Sequence, residues 1–576
     1  LFIAIVCART KIEQGATVET GPLHPDTLRL IPLGGLGEIG LNMMALEWQG
    51  EILIIDCGLM FPEAYMMGVD LVIPDVSALD GRTGSIRGLV LTHGHEDHVG
   101  AVPFLLERLG CPPIFGTGLT LGLLRNKLEE HGLDKKARLY QVHPRQEIKM
   151  GSFRVEFFRV AHSIVDGVGL AIRTPAGLVV HTGDFKLDQT PVDNEPTDLA
   201  RLAAYGEEGV LLLMSDSTNV EKEGHTLSER VVGEAFSEIL PRCRGRVVVA
   251  TFSSNIHRIQ QVVDAALACN RKILVNGRSM VANTAIARQL GYLRIPEGAL
   301  VDTGQMRDMP RDEVVIITTG SQGEPLSALS RIALNDHKQI QVERGDTVIL
   351  SSKFIPGNEK AITEVINHLY RRGAEVFYET TSEVHVSGHA SQEELKLVLS
   401  LTRPRYFVPV HGEYRHLVKH AQLAQHMGLS PEHTVVLENG LPLVFSRNGL
   451  HLEERVETGR VFVDGKGVGD VGLMQLRDRS HLAHHGMVVA LLVLNQSSGE
   501  VLYGPELFTR GFVPEEESRE YLEEACRIVR EMLAEHSLQA ISDWDDLRVE
   551  VRKTLRRFFN RTIQRRPLIL PVILQL

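Results

Sequence analysis

The stretch Gly88-Leu89-Val90-Leu91-Thr92-His93-Gly94-His95-Glu96-Asp97-His98 decides how this chain is read, because an apolar run gives way within one turn to three imidazoles and a carboxylate. Imidazole and carboxylate are the ligands that hold Zn²⁺ or Mn²⁺ while leaving a coordination position open for water. Structural zinc sites usually bring thiolates, and this stretch has none. Leu89 to Leu91 predicts a buried strand, which puts the ligands on the loop at its carboxyl end, where open α/β sheets build their sites.

Working outward, ligand-type residues recur at the ends of other apolar runs: Asp56 after Ile54-Ile55, His162 after Val160-Ala161, Asp184 in His181-Thr182-Gly183-Asp184-Phe185, and His411. Taken singly, His162 also reads as a core histidine and Asp56 as a turn cap. Together they exceed what one ion needs. A two-metal hydrolytic site, with ions about 3.5–4 Å apart bridging a hydroxide, would use them all. Asp184 is the expected bridge, since a carboxylate can span two ions and an imidazole cannot.

At 576 residues the chain is long enough for two or three domains, and 43% hydrophobic with 23% charged residues is ordinary for a soluble globular protein. Six scattered cysteines without a C-x-x-C pair argue against a disulfide framework and predict a reducing, cytoplasmic setting. The apolar ends, Leu1 to Cys7 and Pro567 to Leu576, are too short to span a bilayer, so no membrane role is expected. The first reads as part of an N-terminal extension and the second as a terminal strand. A net charge of −12 confines any nucleic-acid binding to local basic clusters, such as Arg242, Arg244 and Arg246 or the run from Arg552 to Arg566. The second run reads equally as a solvated helix face.

Strands are predicted at Leu28 to Leu33, Ile52 to Ile55, Leu89 to Thr92, Phe153 to Phe158, Leu178 to Thr182 and Val210 to Met214. From Thr218 to Glu375 strand, polar loop and helix repeat, predicting a doubly wound parallel unit. Its loops include Phe252-Ser253-Ser254-Asn255 and Lys353 to Glu359, where helix N-termini could hold phosphate or where Ser and Asn simply cap. Strands are expected to return beyond Glu375. Gly35-Leu36-Gly37-Glu38-Ile39-Gly40 fits a dinucleotide fingerprint, but Asn42 to Trp48 and Glu51 to Ile55 predict a hairpin where that fingerprint needs a helix. The expected boundaries are an extension over 1–25, a first domain over 26–217, an inserted domain over 218–375, the return of the first domain over 376–460, a Gly-rich linker over 461–480 and a terminal domain over 481–576.

In their order, Asp56, His93 to His98, His162 and Asp184 resemble the motifs of the metallo-β-lactamase superfamily. The resemblance implies an αββα sandwich, one ion on His93, His95 and His162, another on Asp97 and His98, Asp184 bridging, and Asp56 supporting the ligands from behind. Asp216 in Met214-Ser215-Asp216-Ser217, His389 in Ser387-Gly388-His389-Ala390 and His411 in Pro409-Val410-His411-Gly412 are similar to the later motifs of its β-CASP nuclease group, in which a histidine at the last position goes with RNA-cleaving members. His411 would then complete the second ion.

More closely, Gly34 to Asn42, Gly320 to Pro325, His385 to Ala390 and the stretch from Asp464 resemble the bacterial ribonuclease J family over nearly the whole chain. That likeness implies an α/β fold with a β-CASP insertion and a small C-terminal α+β domain. It also implies a metal-dependent 5′→3′ exoribonuclease, preferring 5′-monophosphate RNA and having endonuclease activity, in rRNA maturation and mRNA decay. His389, oriented by Asp216, would protonate the leaving oxygen after hydroxide attack on phosphorus, with Asp184 part of the catalytic set. The 5′-phosphate pocket would lie at Ser253, Ser254 and Asn255 and at His385, Val386, Ser387, Gly388 and His389. Two Zn²⁺ or Mn²⁺ ions, a further structural divalent ion at Asp70 and Asp464, a homodimer through the C-terminal domain and partners in RNA degradation or processing complete the expectation. The competing readings are a small-molecule metallo-hydrolase, which leaves the inserted domain unexplained, a DNA-processing β-CASP nuclease, which His411 opposes, and a non-catalytic RNA-binding scaffold, which should have lost ligands.

Overall fold

The computed structural model describes residues 26–63, 65–324, 327–354, 358–447, 449–495, 500–513, 519–535 and 544–576. The N-terminal extension over 1–25, Pro325 of the Gly320 motif and part of the loop after Lys353 lie outside the described residues. Two compact units make up the chain, Leu1–Phe61 with Val72–Val461, and Pro62–Leu71 with Phe462–Leu576.

The first unit contains two sheets packed face to face. One has eight strands, in the order Gly449–Leu452, Leu443–Ser446, Leu28–Gly34, Met43–Trp48, Glu51–Ile55, Ile86–Val90, Pro113–Gly116 and Arg138–Gln141. The other has six, in the order Tyr406–Val410, Val210–Asp216, Gly177–His181, Val168–Thr174, Phe153–Arg159 and Glu147–Met150. Leu30, Leu46, Leu53 and Val90 of the first meet Val155, Phe157, Ile172 and Met214 of the second in one buried core. The alternate residues Phe158, Ala171, Val180 and Leu213 face the other way, onto Leu202 and Tyr205 of helix Leu199–Glu208 and Leu395 and Val398 of helix Gln392–Thr402. Strands with both faces apolar need cover on both sides, and this produces the αββα sandwich.

Inserted in this unit is an all-parallel five-stranded sheet ordered Lys272–Val275, Val314–Thr318, Val247–Ala250, Thr347–Leu350 and Glu375–Phe377. Val247 and Val249 pack with Ile259, Val263 and Phe236 on one face, while Val248 and Ala250 pack with Leu329, Ile362 and Leu369 on the other. This is the doubly wound arrangement expected from the alternating strand and helix pattern.

Gly35 to Gly40 is followed by the antiparallel pair Met43–Trp48 and Glu51–Ile55, as the hairpin reading requires. Two stretches differ from expectation. Beyond Glu375 the chain is more helical than predicted: Gln392–Thr402 and Tyr414–His426 flank the strand Tyr406–Val410. At the start of the first of these helices the Glu394 carboxylate accepts from the Ser391 backbone N–H at 2.8 Å, which satisfies a donor there. The Gly-rich stretch from Asp464 carries a short hairpin, Arg460–Asp464 against Gly467–Val468, before helix Leu473–His485.

In the second unit, Met487–Leu494 lies between Val501–Arg510 and Leu568–Gln575, so the apolar C-terminus is indeed a strand. Val488, Ala490, Leu492 and Leu494 pack onto Val529 of helix Arg519–Glu535 and Val551, Leu555 and Phe559 of helix Trp544–Thr562. Arg552, Lys553, Arg556 and Arg557 are on the exposed side of the latter helix. Among the described residues no helix is long and apolar enough to cross a membrane.

Candidate metal centre

His93 to His98 occupies the loop after strand Ile86–Val90 and the first turn of the short helix Glu96–Val99. Every other candidate ligand also comes from a strand end on the same edge of the sandwich. His162 follows Phe153–Arg159, Asp184 follows Gly177–His181, and His411 follows Tyr406–Val410. Asp56 and His411 each close a strand with a left-handed backbone, φ 58° and 53°. That conformation costs about 1–3 kcal/mol in a non-glycine residue and persists where the surroundings over-determine it. Two glycines make the close approach possible. A Cβ on Gly58 would fall 1.6 Å from the Asp97 carbonyl oxygen, and one on Gly388 would fall 2.7 Å from the His162 ring.

The structure gathers these side chains into two groups that share Asp184. In the first, His95 Nδ1 lies 3.0 Å from His93 Nε2 and 3.2 Å from His162 Nε2, while Asp184 Oδ2 lies 3.8 Å from both Nε2 atoms. In the second, His411 Nε2 is 3.3 Å from Asp97 Oδ2 and 3.2 Å from Asp184 Oδ2, and His98 Nε2 is 3.3 Å from Asp184 Oδ2. Donors bound to one ion at about 2.0–2.1 Å are separated by distances of this size.

The far side of most rings is already engaged. His98 Nδ1 meets Asp56 Oδ2 at 2.8 Å, His162 Nδ1 meets the Gly388 carbonyl at 2.7 Å, and His411 Nδ1 meets Thr218 Oγ1 at 3.0 Å. His93 Nδ1 lies 3.1 Å from Thr92 Oγ1, and the Thr92 hydroxyl and backbone N–H both donate to Asp56. Such partners fix ring orientation and raise ligand basicity, turning the remaining nitrogens toward a common point. His411 Nε2 is buried without a well-oriented hydrogen bond, although two carboxylates stand beside it. A divalent cation fits this donor set better than hydrogen bonding does.

Electrostatics agree. Burial keeps the first group neutral, pulling His95 down to about 4 and His162 to about 3, and His93 well below the usual imidazole range. In the second group burial opposes charge, yet Asp184, Asp97 and Asp56 push His98 up to about 10, and Asp184 lifts His411 well above its ordinary value. Burial likewise works against the Asp184 carboxylate, but His411 and His98 hold it well below the usual carboxylate range. Without an ion, two imidazolium groups supply the positive charge that the clustered carboxylates demand.

Beside the second group, His389 Nδ1 lies 2.7 Å from Asp216 Oδ2 and 4.0 Å from Asp184 Oδ2. Asp216 is the last residue of its strand, two positions beyond the predicted end, and its Oδ1 accepts from the Thr218 backbone N–H and hydroxyl. The Thr218 hydroxyl thus touches both Asp216 and His411. Thr92, Thr218 and Asn42, whose Nδ2 is 3.2 Å from His98 Nε2, were not identifiable from sequence as site residues. Hydroxyls and amides are too common along a chain for spacing to flag them.

In the inserted domain, Ser253, Ser254 and Asn255 lead into helix Ile256–Ala268. The Asn255 side chain caps that helix by accepting from the Arg258 N–H, so it is committed to capping, while the Ser253 and Ser254 side chains are half-buried at the loop. His385, on the Val384 to His389 segment, has a buried Nδ1 without a partner. Asp70 and Asp464, expected to share an ion, are not brought into a ligand cluster. Asp464 pairs with Arg479 at 2.5 Å, and Asp70 accepts from the Gly465 N–H at 2.8 Å. The Arg479 guanidinium also donates to the Met67 carbonyl.

Comparison with known proteins agrees with this architecture. Residues 39–215 match the metallo-beta-lactamase superfamily, 244–369 the ribonuclease J beta-CASP domain, 378–437 the Zn-dependent metallo-hydrolase RNA specificity domain, and 474–576 the ribonuclease J C-terminal domain. A ribonuclease J of Thermus thermophilus is 44% identical over 556 residues, 96% of each chain. A ribonuclease J2 of Bacillus subtilis is 41% identical over 552 residues, covering 96% of this chain and 99% of its own. A crystal structure of a protein of unknown function from Enterococcus faecalis shares the fold, with a TM-score of 0.51 at 15% identity, over 73% of this chain and all of its own.

Proposed function

The chain belongs to the ribonuclease J family and is a metal-dependent ribonuclease, and from that premise we propose that it degrades RNA from the 5′ end, prefers a 5′-monophosphate and also cleaves internally, in rRNA maturation and mRNA decay. The observation that carries the reading is the pair of ligand groups joined at Asp184 with the His389–Asp216 pair beside them. Two ions, Zn²⁺ or Mn²⁺, would be held per chain, one by His93, His95, His162 and Asp184 and the other by Asp97, His98, Asp184 and His411. When bound, they supply Lewis acidity toward the phosphodiester and a water that is nucleophilic at neutral pH.

The remaining work falls to the chain. Asp216 holds His389 by Nδ1, which leaves Nε2 to pass a proton to the departing 3′-oxygen. The His389 side chain is 20% exposed, against 2% for His98 and 5% for His411, so it is more open to substrate than those two ligands. The hydroxyls of Ser253 and Ser254 and the unpartnered His385 nitrogen suit a terminal phosphate. A triphosphate would bring more charge and bulk to the same pocket.

The outer face of the C-terminal sheet supports a homodimer. Val489 is aligned with Phe508 and Leu570, and Val493 with Tyr503 and Leu574, leaving rows in which Phe508, Tyr503, Leu570 and Leu574 are 48–52% exposed. An apolar patch of this kind marks an interaction surface, and a second copy can cover it symmetrically. The five described cysteines are all free, in keeping with a cytoplasmic setting.

The test is a time course on one RNA bearing 5′-monophosphate, 5′-triphosphate or 5′-hydroxyl ends, labelled at each terminus, with Mn²⁺ or Zn²⁺. Mononucleotide release from the 5′ end, fastest with monophosphate and absent in His95→Ala, is expected. Intact RNA with every metal would overturn the reading.

A further inference from the structure

The segment Val384 to His389 is held at its two ends by different machinery. Its later end belongs to the metal centre: Gly388 O meets His162 Nδ1 at 2.7 Å, and His389 O accepts from Asn219 Nδ2 at 2.9 Å and from Thr226 Oγ1 at 2.8 Å. Its start is held by Arg258, a completely buried residue in the first turn of helix Ile256–Ala268. Arg258 Nη1 donates to the Val384 carbonyl at 3.1 Å and to Ser351 Oγ at 2.6 Å, and the Ser351 hydroxyl donates to the same carbonyl at 2.6 Å. The Arg258 backbone N–H is itself bound by Asn255 at 3.0 Å. One residue therefore joins the Ser253 to Asn255 loop to the chain immediately before His385.

The other branch of the guanidinium is fixed too. Nη2 donates to Glu229 Oε2 at 2.7 Å, and Glu229 Oε1 lies 3.6 Å from Lys186 Nζ, two residues beyond Asp184. Lys186 Nζ also lies 3.5 Å from Asp188, whose carboxylate accepts the Glu229 N–H at 2.9 Å. Two cations and two anions balance with side chains no more than 2% exposed. Apolar residues would hold two packed layers at least as firmly as such a network. What the buried charges supply instead is direction, since a planar guanidinium fixes its acceptors in one plane.

We propose that Arg258, with Ser351, is the positioning residue for recognition of the 5′-terminal phosphate: it sets His385 against the Ser253 to Asn255 loop, while His389 stays anchored independently at the metal centre. The inference rests on the terminal-phosphate reading above. It predicts a split between end-dependent and end-independent cleavage that a purely structural role would not produce.

The experiment compares the full chain with Arg258→Gln, Arg258→Lys and Ser351→Ala on linear RNA carrying a 5′-monophosphate or 5′-hydroxyl, and on the same sequence closed into a circle. Arg258→Gln should lower kcat/KM for the monophosphate RNA on the order of 10- to 100-fold, chiefly through KM, and abolish the preference over 5′-hydroxyl, with cleavage of the circle changed little. Arg258→Lys should not restore the preference, because a single ammonium lacks the fork that reaches Glu229 through Nη2 and Ser351 and Val384 through Nη1. Ser351→Ala, which keeps the buried charges, should show a smaller loss in the same direction and carries the test if Arg258→Gln does not fold. Equal losses on linear and circular RNA, or a preserved monophosphate preference in the folded variants, would overturn the proposal while leaving the terminal-phosphate reading intact. A wild-type enzyme indifferent to the 5′ group would overturn both.

Discussion

His389 Nδ1 lies 2.7 Å from Asp216 Oδ2, and this contact orients an imidazole of the cluster that is partly open to solvent. Burial by itself would raise the Asp216 pKa, but His389 holds the carboxyl below its ordinary value, so the partner of the ring is an anion. His389→Ala and Asp216→Asn should each reduce single-turnover cleavage by about 10²–10⁴-fold. Metal content, measured by mass spectrometry on the purified variants, should stay at the wild-type level for His389→Ala. Loss of metal from that variant would make His389 a ligand instead of a proton carrier.

Asp184 stands in both ligand groups, so its removal should differ in kind from that of His95 or His411. His95→Ala and His411→Ala are expected to bind one ion fewer per chain, and Asp184→Ala to bind neither firmly. Metal-to-protein ratios after dialysis, read alongside the melting temperature with and without chelator, provide the check. Equal stoichiometry in all three variants would contradict the shared bridge.

Asp56 touches no candidate ion directly; it grips His98 Nδ1 and receives two hydrogen bonds from Thr92. Asp56→Asn should weaken metal binding by about 10- to 100-fold while leaving the ligand count unchanged. A competition titration with a chromophoric chelator reads this directly, and unchanged affinity would show that His98 needs no support.

The buried Glu229 carboxyl is disfavoured by burial, but Arg258 and Lys186 outweigh that and hold it down to about 2. An unfolded glutamate titrates near about 4.3, so this group stabilises the fold above that pH and the contribution fades as pH falls toward about 2. At neutral pH Glu229→Gln should cost roughly 3 kcal/mol, and the gap from wild type should narrow on acidification below about pH 4. Denaturant unfolding across that range measures it; a constant gap would mean that the carboxylate charge is not what stabilises.

For the C-terminal sheet, Phe508→Asp together with Leu570→Asp places two charges on the exposed apolar rows. Light scattering should report a dimer for wild type and the 63.9 kDa monomer for the variant, with circular dichroism unchanged. A wild-type monomer would remove the reason for the patch to pair with its own copy.

The sequence by itself determined the chemistry of the site. His93, His95, Asp97 and His98 are neighbours in the chain, and His162, Asp184 and His411 each follow an apolar run, so local spacing and strand periodicity were enough to single them out, whereas Asp216 and His389 stood out only through the family resemblance. It also determined the doubly wound insertion, because strands buried on both faces are written as unbroken apolar runs. Tertiary structure alone decided which far-separated groups meet. Thr218 bridges Asp216 and His411, Arg258 reaches Val384 across 126 positions, and Asp464 pairs with Arg479. Those contacts depend on side-chain direction and packing between elements remote in sequence. A hydroxyl, a guanidinium or a carboxylate carries no periodic signal that names its partner before the chain has folded.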